Sequence, residues 1–111
     1  MTSKREQITA MLQNQPKPAD EVFLRYSLAM DYLSEDAGES DETAALGELA
    51  KVRAIDSQYV PVYLQLGMLH SRLDDAAAAR EALEAGIPVA QSAGDAHAVS
   101  EMQAVLDSLP D

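Results

Sequence analysis

Residues 60–93 read VPVYLQLGMLHSRLDDAAAAREALEAGIPVAQSA, and the spacing within this stretch decides the fold. Pro61 suits the first turn of a helix, where a missing backbone N–H is no loss. From there to about Arg72, one apolar stripe runs Val62, Leu66, Leu69, Leu73, and a second holds Leu64 and Met68. Asp74 or Asp75 caps a following helix that starts with the alanine run 76–79 and proceeds to about Ala93. Gly94 then offers a left-handed exit, and Asp95 caps one more helix. Two helices and a short turn make an α-hairpin. Pro88 conflicts with the pattern, because an interior proline removes a backbone bond and costs about 3 kcal/mol. A kink there, or a stop and restart, is expected.

The same hairpin occurs earlier. Ala45, Leu49 and Val52 recur as Ala79, Leu83 and Gly86, each 34 residues later. On the preceding helices Leu28, Ala29 and Tyr32 recur as Leu66, Gly67 and His70, each 38 residues later. The two offsets differ by four, and the difference falls between Tyr32 and Ala45. Residues 34–42 lie in that interval, carry five carboxylates around Gly38, and read as a loop. The two hairpins are therefore copies, the first with a four-residue insertion.

A period of 34 with helix–turn–helix content resembles the tetratricopeptide repeat (TPR) family, in its small bacterial form. Tyr63, Leu66, Gly67 and His70 match the family's aromatic, Leu-Gly and Tyr positions, and Ala79 and Leu83 match its Ala and the large apolar residue after it. In the first copy Ala45 and Leu49 conform, Ala29 replaces Gly, and Arg25 replaces the aromatic. Ser57 and Gln91 stand where the family closes on proline. The resemblance covers about residues 22–93. It implies an all-α, antiparallel helix-hairpin array (an α-solenoid of two TPR-like repeats) with flanking N- and C-terminal helices. Small residues (Ala29, Gly67, Ala45, Ala79) would sit where helix backbones approach closely. Leu28, Leu66, Leu49 and Leu83 would fill the space between adjacent hairpins.

The flanks complete the reading. Ser3 and Glu6 have capping-box spacing, with Ile8, Met11 and Leu12 following on one face, and Pro16 and Pro18 end that helix. The last helix carries Val99, Met102, Val105 or Leu106, and Leu109 on one face before Pro110. Residues 1–111 are expected to form a single TPR-like domain: N-terminal helix 4–14, first repeat 20–57, second repeat 58–93 and capping helix 95–109.

Composition supports helices and narrows function. Hydrophobic types reach 47%, dominated by Ala and Leu, strong helix formers, and runs of strand-forming residues are missing. Eight Lys and Arg against nineteen Asp and Glu leave a formal charge of −11. Such a surface repels phosphate backbones and anionic lipid, so neither nucleic acid nor membrane is expected as a partner. There is no cysteine, hence no disulfide, thiolate nucleophile or Cys-based zinc site. The first residues lead into no long apolar run, so neither a secretory signal nor a membrane span is expected, and the cytoplasm is the default location.

The titratable residues follow no catalytic or metal-binding pattern. His70 stands where the family packs a tyrosine, and His97 beside Asp95 has no third ligand nearby. The acidic stretch 34–42 lacks the alternating ligand spacing of an EF-hand loop. No phosphate loop, HExxH or Gly-x-Ser-x-Gly occurs. No catalytic residue, metal or cofactor is expected, and the chain is not expected to be an enzyme.

The family resemblance implies binding of a partner's peptide or helix in a concave groove lined by the first helix of each hairpin. The corresponding positions are Phe23, Tyr26, Met30 and Leu33, then Leu64 and Met68. This is an apolar, Met-bearing surface suited to varied partners, not a Lys/Arg/Asn carboxylate clamp. The expected function is a non-catalytic adaptor or scaffold for another protein or peptide. The alternatives are a chaperone-like holder and a small homodimeric subunit of a larger complex.

Overall fold

The structure, a computed structural model, describes residues 2–34 and 36–110. They form six helices: α1 (Lys4–Gln13), α2 (Pro18–Tyr32), α3 (Glu39–Ile55), α4 (Val60–Arg72), α5 (Ala76–Ser92) and α6 (Ala96–Ser108). No strand forms among the described residues. Two compact units divide the chain, Met1–Ser57 and Gln58–Asp111.

In the first unit, α2 packs against both α1 and α3. The capping box at α1 is present: Ser3 Oγ accepts from the Glu6 N–H at 3.1 Å, and the Glu6 carboxylate accepts from the Ser3 N–H at 3.4 Å. The chain reverses through Gln15, in the left-handed region at φ 52°, and Pro16. Pro18 then occupies the first turn of α2, so that helix begins two residues before Asp20, where the spacing placed it. α3 likewise starts early. Residues 39–42 are helix, not loop, because Glu39, Asp41 and Glu42 sit in a first turn whose free N–H groups favour negative charge. Asp41 also accepts from the Gly38 N–H at 3.2 Å. The core contains Ile8, Val22, Leu28, Ala29, Ala45, Leu49 and Val52.

Arg5 fastens α1 to its neighbours. Its guanidinium lies 4.0 Å above the Tyr32 ring, donates to Asp31 at 2.8 Å and stands 4.0 Å from Asp41. The Asp31 hydrogen bond, opposed by desolvation and aided by nearby negative charge, raises the Arg5 pKa above its ordinary value.

In the second unit, α4 packs on α5, and α6 packs on both. Asp75 and Asp95 cap α5 and α6 by accepting from the N–H groups of Ala78 and Ala98, and Gly94 takes φ 72° as expected. The core contains Val62, Tyr63, Leu66, Leu69, Ala79, Ala82, Leu83, Ala90 and Met102. Ala45 and Ala79, the paired small residues of the two copies, are both 0% exposed. Leu83 lies over Gly67 of its own hairpin.

Of the two outcomes expected at Pro88, the stop and restart does not occur, and α5 runs unbroken to Ser92. Pro88 and Glu84, whose carbonyl loses its helical donor, are both exposed, so the freed group faces the solvent side. Ala90 beyond it is fully buried and anchors the last turn.

α5 approaches both α4 and α6 closely at Gly86. A methyl group there would fall on Tyr63 Cβ and within 2.7 Å of Met102 Sδ. The first copy solves the same junction differently. At the positions equivalent to Tyr63, Ala82 and Gly86 of the second unit, the first has Arg25, Glu48 and Val52. Arg25 donates to Glu21 at 2.7 Å and, across to α3, to Glu48 at 2.8 Å. The Glu21 hydrogen bond chiefly, then that of Glu48, raises the Arg25 pKa against partial desolvation. An ion pair thus stands where the second copy has a tyrosine and an alanine, and a valine where it has a glycine. Glu48→Ala is expected to cost about 1–2 kcal/mol, because a largely covered guanidinium loses one of two charged acceptors. Urea denaturation with an Arg25/Glu48 double-mutant cycle measures it.

Candidate functional site

Helix phase decides which apolar side chains escape the core. On α2, Val22, Leu28 and Ala29 take the buried positions, while Tyr26, Met30 and Leu33 are half-buried and Phe23 is 66% exposed. On α4, Val62, Tyr63, Leu66, Gly67 and Leu69 are buried. Leu64 on that helix is half-buried, and Met68 is 36% exposed. None of the six positions anticipated for binding is fully buried. Phe23, Tyr26, Met30 and Leu33 belong to the first unit and Leu64 and Met68 to the second.

One exposed side chain escaped the sequence reading. Met11, placed with Ile8 and Leu12 on the packed face of α1, is 52% exposed, whereas Ile8 is buried. Met11 and Phe23 line one recess of about 420 Å³ with Asn14, Pro16, Asp20 and Leu24. The turn through Gln15 and Pro16 brings the end of α1 beside the start of α2. The clue available in the sequence was the Pro16/Pro18 pair, which forces a tight reversal between two helices carrying unpaired large apolar residues.

The histidines are not brought together. His70 is half-buried near the end of α4. His97 is exposed and lies 3.0 Å from Glu101 one turn on, whereas Asp95 is engaged in capping. Among the described residues no group of three or more His, Cys, Asp and Glu is placed to hold a metal ion. No buried side-chain nitrogen or oxygen lacks a hydrogen-bond partner among them. No described helix is long and apolar enough to cross a membrane.

No family model matches the chain. TPR repeat-containing protein PA0015 of Pseudomonas aeruginosa is 33% identical over 93 residues, which cover 84% of this chain and 85% of that protein. The solution structure of protein BPP2914 from Bordetella parapertussis superposes with a TM-score of 0.76 at 31% identity, covering 96% of this chain and 87% of the other. The crystal structure of a tetratricopeptide repeat domain protein from Salinibacter ruber gives 0.69 at 32% identity, covering 82% and 92%.

Proposed function

Because this chain belongs to the tetratricopeptide repeat family, whose fold generally mediates protein–protein interaction and is generally non-catalytic, we propose that it is an adaptor or scaffold. On this reading it holds a peptide or helix of another protein against the uncovered apolar positions of α2 and α4. The observation that carries it is the outward placement of Phe23 and Met68 on the first helix of each hairpin. Both helices bury their other stripe, so these side chains add little to folding and are available to a partner. Methionine at positions 30 and 68 suits a surface that repacks around different side chains.

Affinity capture from native lysate, comparing the natural chain with Met30→Glu/Met68→Glu, tests this. The partner is expected to be lost from the variant while the melting temperature moves by only about 2–4 °C, since Met68 is exposed and Met30 half-buried. Retention of every captured protein by a folded variant would refute the assignment of α2 and α4.

A further inference from the structure

Resting on that reading and sharpening it, we propose that the recess where α1 meets α2 seats a cationic segment of the partner protein. One bulky apolar side chain of the segment enters between Met11, Pro16, Phe23 and Leu24, and an adjacent Lys or Arg meets Asp20.

Three observations carry this. The recess lies wholly within the first unit and brings together the two most exposed large apolar side chains among the described residues, Phe23 and Met11. They come from different helices, so neither is a stray of one helix's phase. The turn that joins them holds Gln15 in the left-handed region, a conformation uncommon outside glycine. Charge then selects the occupant. The sole charged residue lining the recess is Asp20, which has no ion-pair partner among the described residues. Around it, residues 1–57 carry eleven Asp and Glu against six Lys and Arg. A second copy would bring Asp20 toward Asp20 on two molecules of charge −11, and an anionic membrane is repelled in the same way. A basic segment with an apolar anchor matches both the lining and the field.

Fluorescence anisotropy tests it, with the full chain and a short fluorescein-labelled peptide bearing one leucine between lysines. This peptide is expected to bind about 10-fold more tightly than its leucine-to-alanine analogue, and a glutamate-flanked analogue is expected not to saturate. Phe23→Ser and Met11→Ser should each weaken binding about 10-fold, and Asp20→Asn about 3-fold with a shallower salt dependence. Ser100→Ala, exposed on α6 of the other unit, should leave affinity unchanged. All these side chains are largely exposed, so melting curves should stay close to that of the natural chain.

No saturable binding, equal affinity for the alanine analogue, or indifference to Phe23→Ser would overturn the proposal. So would loss on Met68→Ser alone, which places the peptide on α4 and leaves the broader reading standing. Self-association abolished by Phe23→Ser would make a second copy the occupant and overturn it as well. Failure of the broader reading shows separately, as partner capture untouched by Met30→Glu/Met68→Glu.

Discussion

Gly86→Val should destabilise the second unit by about 3 kcal/mol, a large part of the 5–15 kcal/mol available to a domain. The added side chain meets Tyr63 Cβ, which is fixed to the backbone of α4 and cannot rotate away, and Met102 of α6 closes the other side. Room can come only from moving α5 off both neighbours. The local helix preference runs the other way. Glycine inside a helix is worse than alanine by about 1 kcal/mol, so removing it would help if nothing faced it. Urea denaturation should therefore show a lower midpoint with an unchanged slope, and amide exchange should quicken in α4–α6. The first copy carries a fully buried valine, Val52, at the equivalent place, with Arg25 at the position of Tyr63. A stable, fully protected Gly86→Val variant would show that Tyr63 does not pack on this glycine.

Leu83→Ala should cost about 2–5 kcal/mol, as expected for a fully buried leucine whose cavity cannot close. Its Cγ and both Cδ atoms cover Gly67, so the void opens directly above that residue. Gly67→Ala alone meets Leu83 Cγ as well as its methyl ends in a fully buried core, so it should cost about 1–3 kcal/mol despite the gain in helix preference. In the Leu83→Ala background the same methyl enters emptied space. The double variant should recover about 1 kcal/mol, a coupling that a double-mutant cycle reads directly. Strict additivity would mean the two side chains do not share one space. The first copy holds the corresponding pair as Ala29 and Leu49, both 0% exposed, which shows that alanine and leucine can coexist at these positions.

The duplication was legible because period and phase are properties of the chain alone. Matching offsets placed Ala45 with Ala79 and Leu49 with Leu83, and all four are fully buried. Caps at Ser3, Asp75 and Asp95 were legible for a similar reason: their partners lie three residues away. One local feature was misread, and another was left open. The carboxylates of residues 39–42 look like loop by composition, yet a helix N-terminus attracts them. At Pro88 the pattern left a kink or a stop open, and the packing of Ala90 and the solvent-facing position of Glu84 let α5 continue.

What stayed hidden depends on meetings between helices. The contact of Gly86 with Tyr63 joins residues 23 apart, and periodicity says nothing about which small residue faces which ring. The uncovering of Met11 depends on where the Pro16 turn sets α1 against α2. The six anticipated binding positions followed from the family resemblance, and phase did not separate Phe23 and Met68, the exposed pair, from the rest. The half-burial of Tyr26, Met30, Leu33 and Leu64 required the neighbouring elements.

Site-specific photo-crosslinking tests the central claim most directly. A benzophenone amino acid placed at Phe23 or at Met68 should capture the same protein in living cells, whereas one at Ser100, exposed on α6, should capture none. Adducts from Ser100 alone, with positions 23 and 68 silent in a folded chain, would contradict the account.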